Sequence, residues 1–122
     1  MEKASVSIVK TPAAPDFEQI YAAVKKSLDL IGGIEDIIRP GDMVLINPSW
    51  VAPPVEREAG CITIPEVARA IADIVKAAGA RPVIAESSAV GVDCEKVIQS
   101  SGYRDLQEMG YEVVNLKATK AS

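Results

Sequence analysis

At 122 residues, with a formal net charge of −4 and no histidine, the chain holds enough sequence for one domain and a single core. The acidic balance and the lack of any basic block argue against a nucleic-acid partner, because phosphate binding rests on clustered Lys and Arg. The missing histidine removes Ser-His-Asp and Cys-His catalysis, His-ligated zinc and the commonest proton shuttle near neutral pH.

Cys61 and Cys94 stand far apart, form no framework pattern, and cannot supply the four thiolates of an ordinary iron–sulfur cluster. No apolar run is long enough to span a bilayer, and "MEKASVSIVK" has no extended apolar stretch before a cleavage site. The expectation is a cytoplasmic protein with reduced thiols and no membrane contact.

In chain order, "VSIVK" (6–10) predicts a first strand, ended by Thr11-Pro12. Phe17, Ile20, Tyr21, Val24, Leu28 and Ile31 then recur at three- and four-residue steps, the stripe of a helix. Asp16 and Gln19 have capping-box spacing, and Gly32-Gly33 ends the helix. "IEDII" predicts a short helical turn and "RPGD" (39–42) a β-turn. "MVLIN" (43–47), apolar at consecutive positions, reads as a parallel strand covered on both faces.

A long irregular stretch from Trp50 to Cys61 follows. The second main helix should start after Thr63, with Thr63 and Glu66 as a capping pair and Pro65 in the first turn. Its buried stripe is Val67, Ile71, Ile74, Val75 and Ala78, and Gly79 ends it. "RPVIAESS" is the next strand, Cys94 to Ser101 a helix, "YRDLQEM" a short helix beyond Gly102, and "YEVVNLK" (111–117) the last strand. Strands alternating with helices predict one α/β domain over residues 1–122. We expect a three-layer Rossmann-like sandwich: a mainly parallel four-stranded sheet with helices on its faces. An α+β arrangement is the lesser alternative.

In such sheets ligands collect outside the carboxyl ends of the strands. Those ends carry Lys10, then Asn47-Pro48-Ser49, then Glu86-Ser87-Ser88. The loop after Trp50 is long enough to fold over them, and loops of that length in compact domains tend to be functional or disordered. "ESSAVGVD" precedes a helix, so its amides and hydroxyls suit a small anion, although no phosphate-loop pattern is present. A structural role explains each residue singly: Asn47 as a turn residue, Lys10 as a solvated strand end, Glu86 in a salt bridge, Ser87, Ser88 and Asp93 as caps. Trp50 and Tyr21 read as packing residues, and neither cysteine has the cationic neighbour of a nucleophile.

The segments "VSIVKT", "GDMVLINPSWVAPP", "IPEVARAIADIVKAAGARPVIAESS" and "SGYRDLQEMGYEVVNL" together resemble the N-terminal part of the domain of unknown function 362 family. The resemblance implies a longer architecture whose members often carry a cysteine-ligated iron–sulfur segment; that segment is not in this chain, so no cofactor is expected here. Where the family has Lys-Pro-Asn, this chain has Asn47-Pro48-Ser49; where it has Thr-His-Pro, this chain has Thr63-Ile64-Pro65; its Asp-Ser-Pro-Gly is matched only by Glu86-Ser87. The resemblance thus implies Lys10, Thr63, Glu86 and Ser87 as carried-over site residues. The resulting expectation is a ligand-binding domain of a redox or metabolic iron–sulfur-associated protein. Its site is Lys10, Asn47, Ser49, Thr63, Glu86, Ser87 and Ser88, incomplete without a missing C-terminal domain or a partner. The alternative is an interaction or oligomerisation module without small-molecule chemistry, for which the positive mean hydropathy of +0.16 is the motive.

Overall fold

The computed structural model describes residues 3–51, 61–88 and 90–117. Most of the predicted loop between Trp50 and Cys61 lies outside the described residues. The described chain forms α1 (Phe17–Asp29), β1 (Met43–Ile46), α2 (Pro65–Ala77), β2 (Arg81–Glu86), α3 (Cys94–Ser101), α4 (Tyr103–Glu108) and β3 (Val113–Asn115).

Local signals act where they were expected. Asp16 accepts from the Gln19 N–H at 2.8 Å while the Gln19 side chain accepts from the Asp16 N–H at 3.0 Å, so both bonds of the capping box form at α1. The 39–42 turn closes with Asp42 N–H donating to the Arg39 carbonyl at 3.1 Å. Gly102, at φ +93°, both ends α3 and starts α4, a left-handed position that favours glycine.

The three strands are parallel in the order β1-β2-β3. Ile46 sits beside Ile84, and Ile84 beside Val113. These in-register residues share one cluster with Ala68 and Ala72 of α2, Val97 and Ile98 of α3, and Tyr103 and Leu106 of α4. One face of the sheet therefore carries α2, α3 and α4, as right-handed crossovers in a single direction require. α1 packs on α2. The Arg69 guanidinium stacks over the Phe17 ring at 3.7 Å and donates to the Tyr111 hydroxyl at 3.3 Å, and that hydroxyl donates to Asp73 at 2.7 Å. Helix α1, helix α2 and the chain entering β3 are joined through this one arginine.

Three expectations differ from the structure. Residues 6–10 make no ladder, so the described sheet has three strands rather than four. β1 is not covered on both faces: Met43 and Leu45 are 67% and 57% exposed. Val83 and Ala85 of β2, on the same face, are buried, so the exposure belongs to the edge strand. Consecutive apolar residues look alike in sequence whether the second face is covered or open. Along α1 only Ile20 is fully buried, and Ile31, beyond the helix end, is exposed. The second helix layer of a sandwich is not found among the described residues.

Candidate functional site: the carboxyl-end border of the sheet

The register places Glu86 beside Asn115, and Asn47 one step beyond the Ile46–Ile84 pair. Three neighbouring strands thus end in polar side chains along one border. Asn47 shows why β1 turns polar where it does. Its side-chain amide donates to the Ala85 carbonyl at 3.0 Å, continuing the β1–β2 ladder one step after the backbone pairing stops. Pro48 is buried behind it.

Beyond Pro48 the chain doubles back on itself. Ser49 N–H donates to the Thr63 hydroxyl at 3.1 Å, Thr63 N–H to the Ser49 carbonyl at 2.9 Å, and Val51 N–H to the Cys61 carbonyl at 3.0 Å. Trp50 pairs with Ile62 in the same antiparallel stretch. The Thr63 hydroxyl is used here and not as a helix cap. The N-cap of α2 is Ile64, with no side-chain cap bond, and Pro65 opens the helix. Trp50 and Tyr103 are buried edge to face, their centroids 5.1 Å apart at 68°. The Tyr103 hydroxyl donates to the Thr63 carbonyl at 2.6 Å. Burial pushes that phenol well above its ordinary range; the Trp50 indole pulls against the rise and the Glu66 charge adds to it.

At the end of β2 the Glu86 carboxylate accepts from the next backbone N–H, Ser87, at 2.8 Å. The Glu86 carbonyl accepts from Leu116 N–H at 3.1 Å and lies 3.7 Å from the Cys94 thiol. Ser87 is exposed. Ser88 is buried, and its hydroxyl donates to the Val92 carbonyl at 2.9 Å, which closes the turn ahead of α3. Asp93 caps that helix by accepting from Glu95 N–H at 3.0 Å.

Lys10 does not stand at a strand end, since residues 6–10 are outside the sheet. It is exposed, and its neighbours Val9 and Thr11 line a groove with Ile20, Ile64 and Val67, so the segment reaches the start of α2. Ser49 and Thr63 thus bond to each other, Asn47 to Ala85 of the next strand, Glu86 to Ser87, and Ser88 to Val92. Lys10 approaches from the helix side.

Sequence reasoning missed the third part of the border. The Asn115 amide donates to one Glu95 oxygen at 3.1 Å and Arg104 donates to the other at 3.0 Å. The Lys117 ammonium donates to the Val92 carbonyl at 2.7 Å. The signal was available: "VVN" ends an apolar strand in asparagine as "VLIN" does.

On the outer side of β1 lies an apolar cavity of about 330 Å3, lined by Leu28, Ile34, Val44, Ile46 and Ile71, with Asn47 and Thr63 at its polar end. Among the described residues no group of three or more His, Cys, Asp or Glu side chains could hold a metal ion. The chain's two cysteines are Cys61 and Cys94, and the buried Cys94 faces a backbone carbonyl. This donor set does not fit an iron–sulfur cluster, which needs four ligands.

A parallel three-stranded sheet with helices packed on it and polar strand ends along one border defines an α/β domain. The chain belongs to the family described as domain of unknown function DUF362, whose family model matches residues 44–121. It is 32% identical over 105 residues to the thylakoid-associated protein sll1697 of Synechocystis sp., covering 84% of this chain and 31% of that protein. The chain therefore spans about a third of the length of that relative. No solved structure matches it. Among the described residues no helix is long and apolar enough to cross a membrane.

Proposed function

We propose that this chain is a cytoplasmic, ligand-binding α/β domain of a redox or metabolic, iron–sulfur-associated protein. Its site lies on the carboxyl-end border and is completed by further chain or by a partner. The observation that carries this proposal is the meeting of Asn47, Glu86 and Asn115 at the ends of three adjacent parallel strands, the edge where open α/β sheets hold ligands.

Much of the border is already engaged. Ser88 closes a turn, Thr63 and Ser49 bond to each other through side chain and backbone, and Asn47 bridges strands. These groups shape the border. The contacts to ligand fall to the Ser49 and Ser87 hydroxyls, the Lys10 ammonium and the exposed side of Asn47. That set favours a small anion, with hydroxyl and amide donors fixing its orientation and one cation balancing its charge. A catalytic role would need a base; Glu86 stands on this border, and Lys10 is the candidate that approaches from the helix side. An iron–sulfur cluster, where a longer relative has one, would be held by residues other than these two cysteines.

A thermal-shift panel of inorganic phosphate, acetate, citrate, AMP and ATP tests the proposal. A ligand at a hundred times its Kd stabilises by about 2.7 kcal/mol, a rise of several degrees in Tm. A rise lost in Ser87→Ala and Lys10→Ala variants of unchanged stability supports the border as the site. No rise with any probe counts against it.

One observation favours a second reading. Val6, Ile8, Met43 and Leu45 are exposed apolar residues, and apolar surface of this kind favours protein contacts. As an interaction module the chain would self-associate or bind another domain through these residues. Sedimentation equilibrium over a hundred-fold concentration range separates the two readings, because a strict monomer removes self-association.

A further inference from the structure

We propose that residues 6–9 close onto the open edge of β1 as a fourth parallel strand, sealing the apolar cavity beside it. The edge is prepared for a strand. Arg81 N–H donates to the Asp42 carbonyl at 2.7 Å, so Asp42, Val44 and Ile46 turn their backbone groups toward β2. The alternation of a parallel ladder then turns the N–H and C=O of Met43 and Leu45 outward, where among the described residues nothing pairs with them. An apolar edge strand with unpaired backbone groups is a template for one more strand.

The segment is prepared for the edge. Ser7 donates to the Ser27 carbonyl at 2.6 Å near the end of α1, while Val9 and Thr11 line a groove with Pro15 and Ile20 near its start. Residues 7–11 therefore run antiparallel to α1, the direction a strand must take before a helix that returns to a parallel partner. Ser7 and Val9 already face α1, as Val44 and Ile46 face the helix layer. Val6 and Ile8 face away, 82% and 89% exposed, as do Met43 and Leu45 at 67% and 57%. Both alternations are in phase. Lateral closure brings Val6 and Ile8 beside Met43 and Leu45 on one face without rotating either segment. The cavity of about 330 Å3, which shares Val67 with the groove holding Val9, is the space that closure removes. The occupant is this chain's own segment because it is already tethered through Ser7 to α1, which keeps its local concentration far above that of a second molecule.

The test is nuclear magnetic resonance on the 122-residue chain. Closure predicts cross-strand contacts between backbone protons of residues 6–9 and those of 43–46, and Met43 and Leu45 amides that exchange at least about ten-fold more slowly than in a Val6→Asp, Ile8→Asp double variant. The double variant places its charges on surface that is exposed in the open form, so it folds either way. Contacts absent and exchange unchanged by the double substitution overturn the proposal. So does a concentration-dependent dimer in which the same contacts prove intermolecular in a mixed-label sample, since the occupant is then a second copy.

Discussion

Replacing Tyr103 by Phe isolates one hydrogen bond that ties the candidate border to the helix layer. The ring stays, with its edge contact to Trp50 at 5.1 Å, and only the hydroxyl that reaches the Thr63 carbonyl at 2.6 Å is lost. A half-buried carbonyl left without this donor costs about 1–2 kcal/mol. For a chain of this length one kcal/mol corresponds to about 3–5 °C in Tm, so Tyr103→Phe should melt roughly 3–10 °C lower. The pH dependence carries a second signature. Burial raises the phenol's pKa in the folded protein above the unfolded value of about 10. The stability from this group is therefore whole below about pH 10 and is lost as pH rises toward the folded value. Urea melts of both proteins from pH 8 to pH 11 should show the gap narrowing above pH 10, because only the parent has this phenol to ionise. Equal stability at pH 8 would refute the hydrogen bond, and a gap constant to pH 11 would refute the buried phenol.

Three further outcomes follow from the same geometry. Asn47→Ala removes the amide that extends the β1–β2 ladder and should cost about 0.5–1.5 kcal/mol in urea melts, with faster exchange confined to the ends of those strands. Gly102→Ala puts a Cβ at a φ of +93° and 3.1 Å from the Pro65 ring, and should destabilise by about 1 kcal/mol or more. Arg81 makes two 2.8 Å bonds to Glu112 and holds its carboxyl below the ordinary range. What this pair contributes is present above the unfolded value of about 4.3 and is lost as pH falls through the folded one. A carboxyl titration should show the Glu112 midpoint depressed in the parent and returned to its ordinary value in Arg81→Met.

The elements with local signals were legible in the sequence. Asp16 and Gln19 set the start of α1 through bonds three residues apart, Gly102 separated α3 from α4, and the β-α-β order gave parallel strands in the described sheet. Thr63 was misread because capping spacing says nothing about a distant competitor: Ser49 N–H, fourteen residues back, takes its hydroxyl. β1 was read as doubly covered because an apolar run records what a residue prefers, not what lies over it. Of the border, Asn47 and Glu86 were visible as polar ends of apolar strands. Asn115 carried the same signal, but its partners Glu95 and Arg104 are brought to it by α3 and α4 packing, which no local pattern encodes. Ser88, read both as a ligand group and as a cap, closes the turn ahead of α3 through Val92.

The proposal that this border holds a ligand is tested most directly by amide shift mapping during titration of the chain with inorganic phosphate and then AMP. The account predicts saturable shifts concentrated at Lys10, Asn47, Ser49, Thr63, Glu86 and Ser87, with Tyr103 perturbed through Thr63. Shifts confined to Leu28, Ile34 and Ile71, or none at saturating probe, would contradict it.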